Sequence, residues 1–169
     1  MSQLSYRTFF SRLNQSGCDY VIVGGLAVIL HGHVRLTTDT DLVVDLAGEQ
    51  LSELLAILDD MGFQPRAPVK LEEFADSDKR ERWIREKGMQ VFSLFHSDQP
   101  RWVVDLFAHS PIDVSELRAR RVLKEIEGVP ISVASIDDLI VMKRLAGRDI
   151  DQSDIRHLEQ IKEVSGDYS

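Results

Sequence analysis

A second cysteine is missing. Cys18 is the single cysteine in 169 residues, so no disulfide can close within the chain, and a reducing cytoplasm is the expected home. No apolar run approaches the roughly 20 residues that cross a bilayer, so no membrane association is expected. The first ten residues, MSQLSYRTFF, lack the charged-then-apolar layout of a secretory leader. Repeats and low-complexity tracts are absent, as is any Cys/His spacing that would hold zinc. Positive charge is also in deficit: 20 Lys and Arg against 28 Asp and Glu give a formal net charge of -8. That balance disfavours broad, nonspecific adhesion to nucleic acid, which depends on basic side chains displacing counterions. A local basic groove stays open, and some of the acids can be metal ligands whose charge an ion would offset.

What is present suits one α/β (α+β) domain over residues 1–169: a small mixed sheet flanked by helices in about 17–133, then a helical extension in about 135–163. Leu4, Phe9, Phe10 and Leu13 predict a short amphipathic helix, which can pack on its own sheet or on a second subunit. DYVIV (Asp19 to Val23) reads as a buried strand, Gly24-Gly25 as a turn, and Leu26 to His31 as a helix stopped by Gly32. DLVVDL (Asp41 to Leu46) is a second strand, and Glu49 to Met61 has helical spacing closed by Gly62. Leu71 to Lys87 is highly charged and predicts helix or mobile loop. MQVFSLFH and WVVDLF read as two strands joined through SDQPR, and Arg121 to Val133 as two more hinged at Gly128. Ser135 to Asp138 has capping-box spacing with Asp in the Glu position. It opens a helix ended by Gly147, after which Asp151 can cap another.

Two local arrangements carry chemistry. Side chains two apart on a strand share a face, so Asp39 and Asp41 lie side by side. Such carboxylates repel unless a cation sits between them, and magnesium combines a few carboxylates with phosphate oxygens. Asp45 is roughly 13 Å further along at strand rise and reads as a strand-end surface residue. Gly24-Gly25, between a strand and a helix, lets backbone N–H groups approach an anion. Asp105, inside the apolar WVVDLF, is the candidate third carboxylate, because an unpaired charge there would be costly; the alternative is an edge residue facing solvent.

These residues resemble the nucleotidyltransferase superfamily that includes DNA polymerase beta. The shared pattern is hydrophobic-Gly-Gly/Ser, a short helix, Asp-x-Asp, then a later acid: here Val23-Gly24-Gly25, Asp39-Thr40-Asp41 and Asp105. A closer likeness is to small bacterial AbiEii-like nucleotidyltransferases, through GGLA…HG…R-x-T-x-D-x-D and a later K…AGR…D…DI, here Lys143, Ala146-Gly147-Arg148, Asp151 and Asp154-Ile155. The resemblance covers about Asp19 to Ile161. It implies two Mg2+ ions on Asp39, Asp41 and Asp105, with Asp105 also helping to deprotonate the acceptor hydroxyl. Gly24 and Gly25 would cradle the triphosphate of a nucleoside triphosphate such as ATP. A nucleoside monophosphate would pass to a hydroxyl of tRNA, protein or another acceptor. Some such relatives are toxins, which implies an antitoxin partner. A nucleotide-binding regulatory or interaction protein without turnover is the alternative. The chain departs from the pattern at Gly25, where many relatives have Ser, at Thr40, and at Asp-Ile-Asp after Arg148, where relatives often have Pro-Lys-Asp.

Other residues stay open between two readings. Arg35 and Thr37 are expected to contact phosphate or anchor the loop before the aspartates. Lys143 and Arg148 either reach the triphosphate or lie on a solvated helix face and near a helix end. Asp151 and Asp154 read as caps or salt-bridge partners of Arg148. His31 is expected to end its helix with a hydrogen bond, and His33 to lie in the loop. The basic clusters Lys79 to Lys87 and Arg118, Arg120, Arg121 and Lys124 read as solvated faces, since acids interleave them. Were tRNA the acceptor, they would meet its phosphates, with Trp83 stacked on a base.

Overall fold

The computed structural model describes residues 3–166. Among these, one sheet of seven strands runs in the order β3-β4-β5-β2-β1-β7-β6, with β1 Tyr20–Val23, β2 Asp39–Val44, β3 Phe63–Pro65, β4 Val91–His96, β5 Val103–Phe107, β6 Val122–Ile126 and β7 Val129–Val133. The sheet is mixed. β2 runs parallel to β5 and β1 parallel to β7, while β1–β2, β3–β4, β4–β5 and β6–β7 are antiparallel. The interior strand β1 is buried at every residue. This explains its unbroken apolar run, since a strand covered on both faces has no solvated side to alternate towards.

Helices α1 Tyr6–Gln15, α2 Gly24–Leu30, α3 Leu51–Asp60, α4 Ser77–Lys87, α5 Val114–Ala119, α6 Ile136–Ala146 and α7 Asp149–Gly166 surround the sheet. α1 buries Phe9, Phe10 and Leu13 in this chain's own core, so the N-terminal helix packs on its own domain. Its start is fixed by Ser5, whose hydroxyl accepts from the Thr8 amide, satisfying one of the orphan donors of a helix N-terminus. Phe63, Phe74 and Phe92 complete the aromatic part of the core.

Four local expectations change. The charged stretch expected as helix or mobile loop is a short 3-10 turn, Leu71–Ala75, followed by α4, capped by Asp76 and closed by left-handed Gly88. Buried Arg80 fixes it by donating to the Phe74 carbonyl. Both aspartates of Asp-x-Asp lie within β2, which begins two residues earlier than its apolar run suggested. Gly24 and Gly25 are the first residues of α2 rather than a separate turn, and Gly24 at φ +68° swings the chain from β1 into the helix. At α6, Ser135 caps as expected by accepting from the Asp138 amide. The Asp138 carboxylate, however, binds Arg120 instead of reaching back.

Candidate active site

Pairing decides what stands next to what. In the antiparallel β1–β2 pair Val23 lies opposite Asp41, so Gly24, the next residue, lands against the Asp41 side chain. A Cβ on Gly24 would come within 2.0 Å of Asp41 Oδ2. The glycine therefore answers two demands, a left-handed backbone and the room Asp41 needs. Gly25 is similarly filled from outside: a Cβ there would meet the Arg35 guanidinium and Thr37 Oγ1 at 3.1 Å. Thr37 Oγ1 in turn accepts from the Asp39 amide at 3.3 Å. The two motifs, fifteen positions apart at their first members, are one packed unit.

In the parallel β2–β5 pair Asp39 lies beside Val103 and Asp41 beside Asp105. Asp39, Asp41 and Asp105 are all half-buried, and Thr40 points to the opposite, fully buried face. Burial first, then the charges of Asp105 and Asp39, push the Asp41 carboxyl up to about 7, while Lys143 pulls it back. One further group joins from β4. Ser93 lies opposite Asp105 and donates its hydroxyl to Asp105 Oδ1 at 2.5 Å. The alternation in FSLFH placed Ser93 on this face; only the strand pairing shows which carboxylate it holds.

A second layer of charge comes from the C-terminal helices. Lys143 on α6 donates to Asp154 at 2.7 Å and to Asp151 at 3.4 Å. Asp151 also accepts from the Arg148 amide at 3.0 Å and from its Nε at 2.8 Å; it pairs with Arg148 as expected, but from the first turn inside α7, which starts two residues earlier, at Asp149. Asp154 is paired with Lys143 and Arg35; the pairing of Asp154 with Arg148 does not occur. Lys143 is 5% exposed, which removes the solvated-face reading. Burial works against the Asp151 and Asp154 carboxylates, but hydrogen bonds from these cations outweigh it and hold both below the usual range. Arg35 thus anchors the loop before β2 onto α7.

One cleft of about 700 Å³ gathers Gly24, Asp39, Asp41, Asp105, Lys143, Arg148 and Asp151. Gly25, Arg35 and Thr37 support it from behind and do not line it. Asp45 lies outside it, its carboxylate accepting from the Ala47 amide. Among the described residues, no group of three or more His, Cys, Asp or Glu side chains forms a ready-made cage for an ion. What this strand edge offers is the donor set magnesium prefers, one or two carboxylates with room for phosphate and water, and two acids whose mutual repulsion a cation would relieve.

His31, His33 and several of the basic residues have ordinary partners. His31, its pKa lowered by burial, bonds the Ala134 carbonyl at 2.8 Å. His33 is in the loop but stacks on His157, ring centroids 3.8 Å apart. Trp83, considered for base stacking, has one face on Phe92, with 5.8 Å between centroids. Arg118 pairs with Asp19, Arg120 with Asp138, and Lys79 with Glu73. Among the described residues no helix is long and apolar enough to cross a membrane.

Against known proteins, a family described as "Nucleotidyltransferase of unknown function (DUF6036)" matches residues 9–168. No curated protein matches in sequence. Several solved structures are similar in fold, among them the following three. The lincomycin-bound lincosamide antibiotic adenylyltransferase LnuA is 15% identical with a TM-score of 0.61, covering 95% of this chain and 99% of that one. ANT(2")-Ia in complex with adenylyl-2"-tobramycin is 17% identical at 0.57, covering 96% of each. An antigenic nucleotidyltransferase-like protein from Paracoccidioides brasiliensis is 18% identical at 0.52, covering 96% of this chain and 79% of that one. The superfamily expected from the glycine and aspartate motifs is the one found; these matches do not bear on the narrower AbiEii-like likeness.

Proposed function

We propose, on the premise that this chain belongs to the nucleotidyltransferase family "Nucleotidyltransferase of unknown function (DUF6036)", that it transfers a nucleoside monophosphate from a nucleoside triphosphate to a hydroxyl, using Asp39, Asp41 and Asp105 with Mg2+. The observation carrying this reading is the register pairing of Asp41 with Asp105 in a cleft that Lys143 and Arg148 also line. Acids on one side and cations on the other match a metal–triphosphate complex, whose two halves carry opposite charge.

The chain's residues divide the work. Asp39, Asp41 and Asp105 would hold the metal, which, when bound, stabilises the attacking and leaving oxygens of an in-line displacement. Lys143 and Arg148 face the triphosphate and offset the charge that accumulates on pyrophosphate as it leaves. Buried Asp151 and Asp154 keep these cations from wandering, so that little reorganisation is needed during reaction. Asp105 takes the proton of the acceptor hydroxyl; the oxygen attacks the α-phosphorus, the bond to the β-phosphate oxygen breaks, and pyrophosphate departs. Gly24 leaves room for Asp41 and swings the chain from β1 into α2. The similar adenylyltransferases LnuA and ANT(2")-Ia, whose complexes hold lincomycin and adenylyl-2"-tobramycin, support nucleotidyl transfer as the reaction of this fold. A toxin role, with an antitoxin partner, would use the same chemistry and add no residue to it.

Calorimetric titration of each nucleoside triphosphate, with and without magnesium, tests the reading on the wild type and on Asp39→Ala/Asp41→Ala. Binding of one nucleotide that needs both metal and aspartates is expected. Metal-independent binding, unchanged in the double variant, would overturn the assignment.

A further inference from the structure

We propose that the acceptor is a small, uncharged alcohol or phenol with an apolar body that rests on Phe107 and Val91. The inference relies on the role given to Asp105 above and asks what surrounds the oxygen that attacks there.

Strand register answers that question. On β5 the residue two beyond Asp105 is Phe107, which shares its face about 7 Å further along. On β4 the partner of Asp105 is Ser93 and the partner of Phe107 is Val91. A hydroxyl held at Asp105 therefore belongs to a molecule lying on the Phe107–Val91 pair. Both side chains line the cleft and are half-buried, as is Met89 beside them. Helix α6 adds Leu139, Met142 and Leu145 to the same cleft. Gln90 and His109 are the polar side chains at this end, enough to orient a ligand that is otherwise apolar.

Charge excludes the alternatives. The acids lining the cleft are Asp39, Asp41 and Asp105, assigned to metal, and Asp151, already bound to Lys143 and Arg148. No lining carboxylate is spare for a polycationic acceptor. The lining cations, Lys143 and Arg148, face the triphosphate, so none is left to follow a polynucleotide backbone. On α4, beside the cleft, exposed Arg82, Arg85 and Lys87 alternate with Glu81 and Glu86. A protein acceptor would need an apolar docking rim, yet among the described residues Leu145 is the one large exposed apolar side chain that borders this cleft. A cleft of about 700 Å³ is the size of a small-molecule site.

The test uses the full chain with magnesium and the nucleotide that binds. The fluorescent phenol 2-naphthol serves as binding probe. Labelled-nucleotide transfer is then run on four acceptor sets: steroid and terpenoid alcohols, aminosugars, tRNA, and peptides bearing Ser or Tyr. The expected result is naphthol binding that weakens about tenfold or more in Phe107→Gln and in Val91→Gln, with nucleotide affinity within twofold of wild type and unaltered melting. Label should appear on apolar alcohols. Nucleotide binding without naphthol binding, or label on tRNA, aminosugar or peptide that neither variant reduces, would overturn the acceptor class and leave the nucleotidyl-transfer reading standing. Loss of nucleotide binding in the wild type would instead remove that reading, and this one with it.

Discussion

Asp41 of β2 and Asp105 of β5 are register partners in a parallel strand pair, and the carboxyl of Asp41 is pushed up to about 7, by burial first and then by Asp105 and Asp39. A half-buried acid between two other acids is a poor anion until a cation joins it. That one relationship ties the sheet topology to the proposed metal site and to pH.

It predicts a pH-dependent stability for the metal-free chain. An unfolded aspartate titrates near ~3.9, so the folded chain holds this proton more tightly than the unfolded one. Stability is then undiminished below about 4, falls as pH rises through the window up to about 7, and levels off above it. Melting temperature should decline from about pH 4 to about pH 7 in metal-free buffer, and Asp41→Asn should flatten the decline. Magnesium should recover most stability at the alkaline end, where the carboxylates are free of protons. Equal slopes for wild type and Asp41→Asn would sink the assignment.

Gly24 makes a sharper steric prediction. A methyl group there would sit 2.0 Å from Asp41 Oδ2 on a backbone at φ +68°. Gly24→Ala should cost roughly 1–3 kcal/mol from backbone strain alone and should displace Asp41, lowering magnesium-dependent nucleotide binding. Gly25→Ala meets side-chain atoms at 3.1 Å, one of them at the end of an arginine, and should be the milder change. Denaturant melts and nucleotide titration of the two variants would show the order. A Gly24→Ala chain as stable and as competent as Gly25→Ala would contradict the close approach.

These residues also mark how far the sequence could be read. The glycines, the Asp-x-Asp pair and the strand and helix periods are local patterns, so Asp39 and Asp41 share one strand as the sequence predicts and most elements stand near where it places them, though β3 and α5 were not foreseen. Asp105 was visible because a charge in an apolar strand needs a reason. What Asp154 binds was not visible. Its partner Arg35 is 119 positions away, and no local rule distinguishes a buried, doubly paired aspartate from a solvated one on the second turn of a helix. Asp138 misled for a related reason: capping-box spacing predicts the backbone as its partner, but tertiary packing supplies Arg120, a charged donor.

Ser93 carries a prediction about the site's rigidity. Its hydroxyl fixes one oxygen of Asp105, and a hydrogen bond to a charged group contributes about 1.5–3 kcal/mol. Ser93→Ala should keep the fold, since the strand stays β-compatible, yet weaken magnesium binding several-fold by calorimetry. Ser93→Thr, which retains the hydroxyl, should recover much of the loss. If alanine and threonine behave alike, Ser93 does not hold Asp105 for the metal.

The last prediction separates a buried ion network from surface decoration. Asp154 is 0% exposed and binds Lys143 and Arg35, two cations from distant parts of the chain. Removing its carboxylate leaves a buried ammonium with Asp151 as its remaining partner, and breaking such a pair costs about 3–5 kcal/mol. Asp154→Ala should therefore lower stability by about 3 kcal/mol or more, and Asp154→Asn by less, since the amide still accepts a hydrogen bond. Asp137, paired with Lys162 with both side chains more than half exposed, is the control: Asp137→Ala should change stability by less than about 1 kcal/mol. The network also has a functional consequence that a purely structural pair would lack. Freed from Asp154, Arg35 no longer anchors the loop leading to Asp39, and Lys143 no longer holds its place beside Asp41. Nucleotide affinity in Asp154→Asn should then fall even at temperatures where the variant is fully folded. Circular dichroism to establish the folded range, followed by nucleotide titration within it, checks both halves. Unchanged affinity in a folded Asp154→Asn chain would show that α7 staples the fold together without arranging the site.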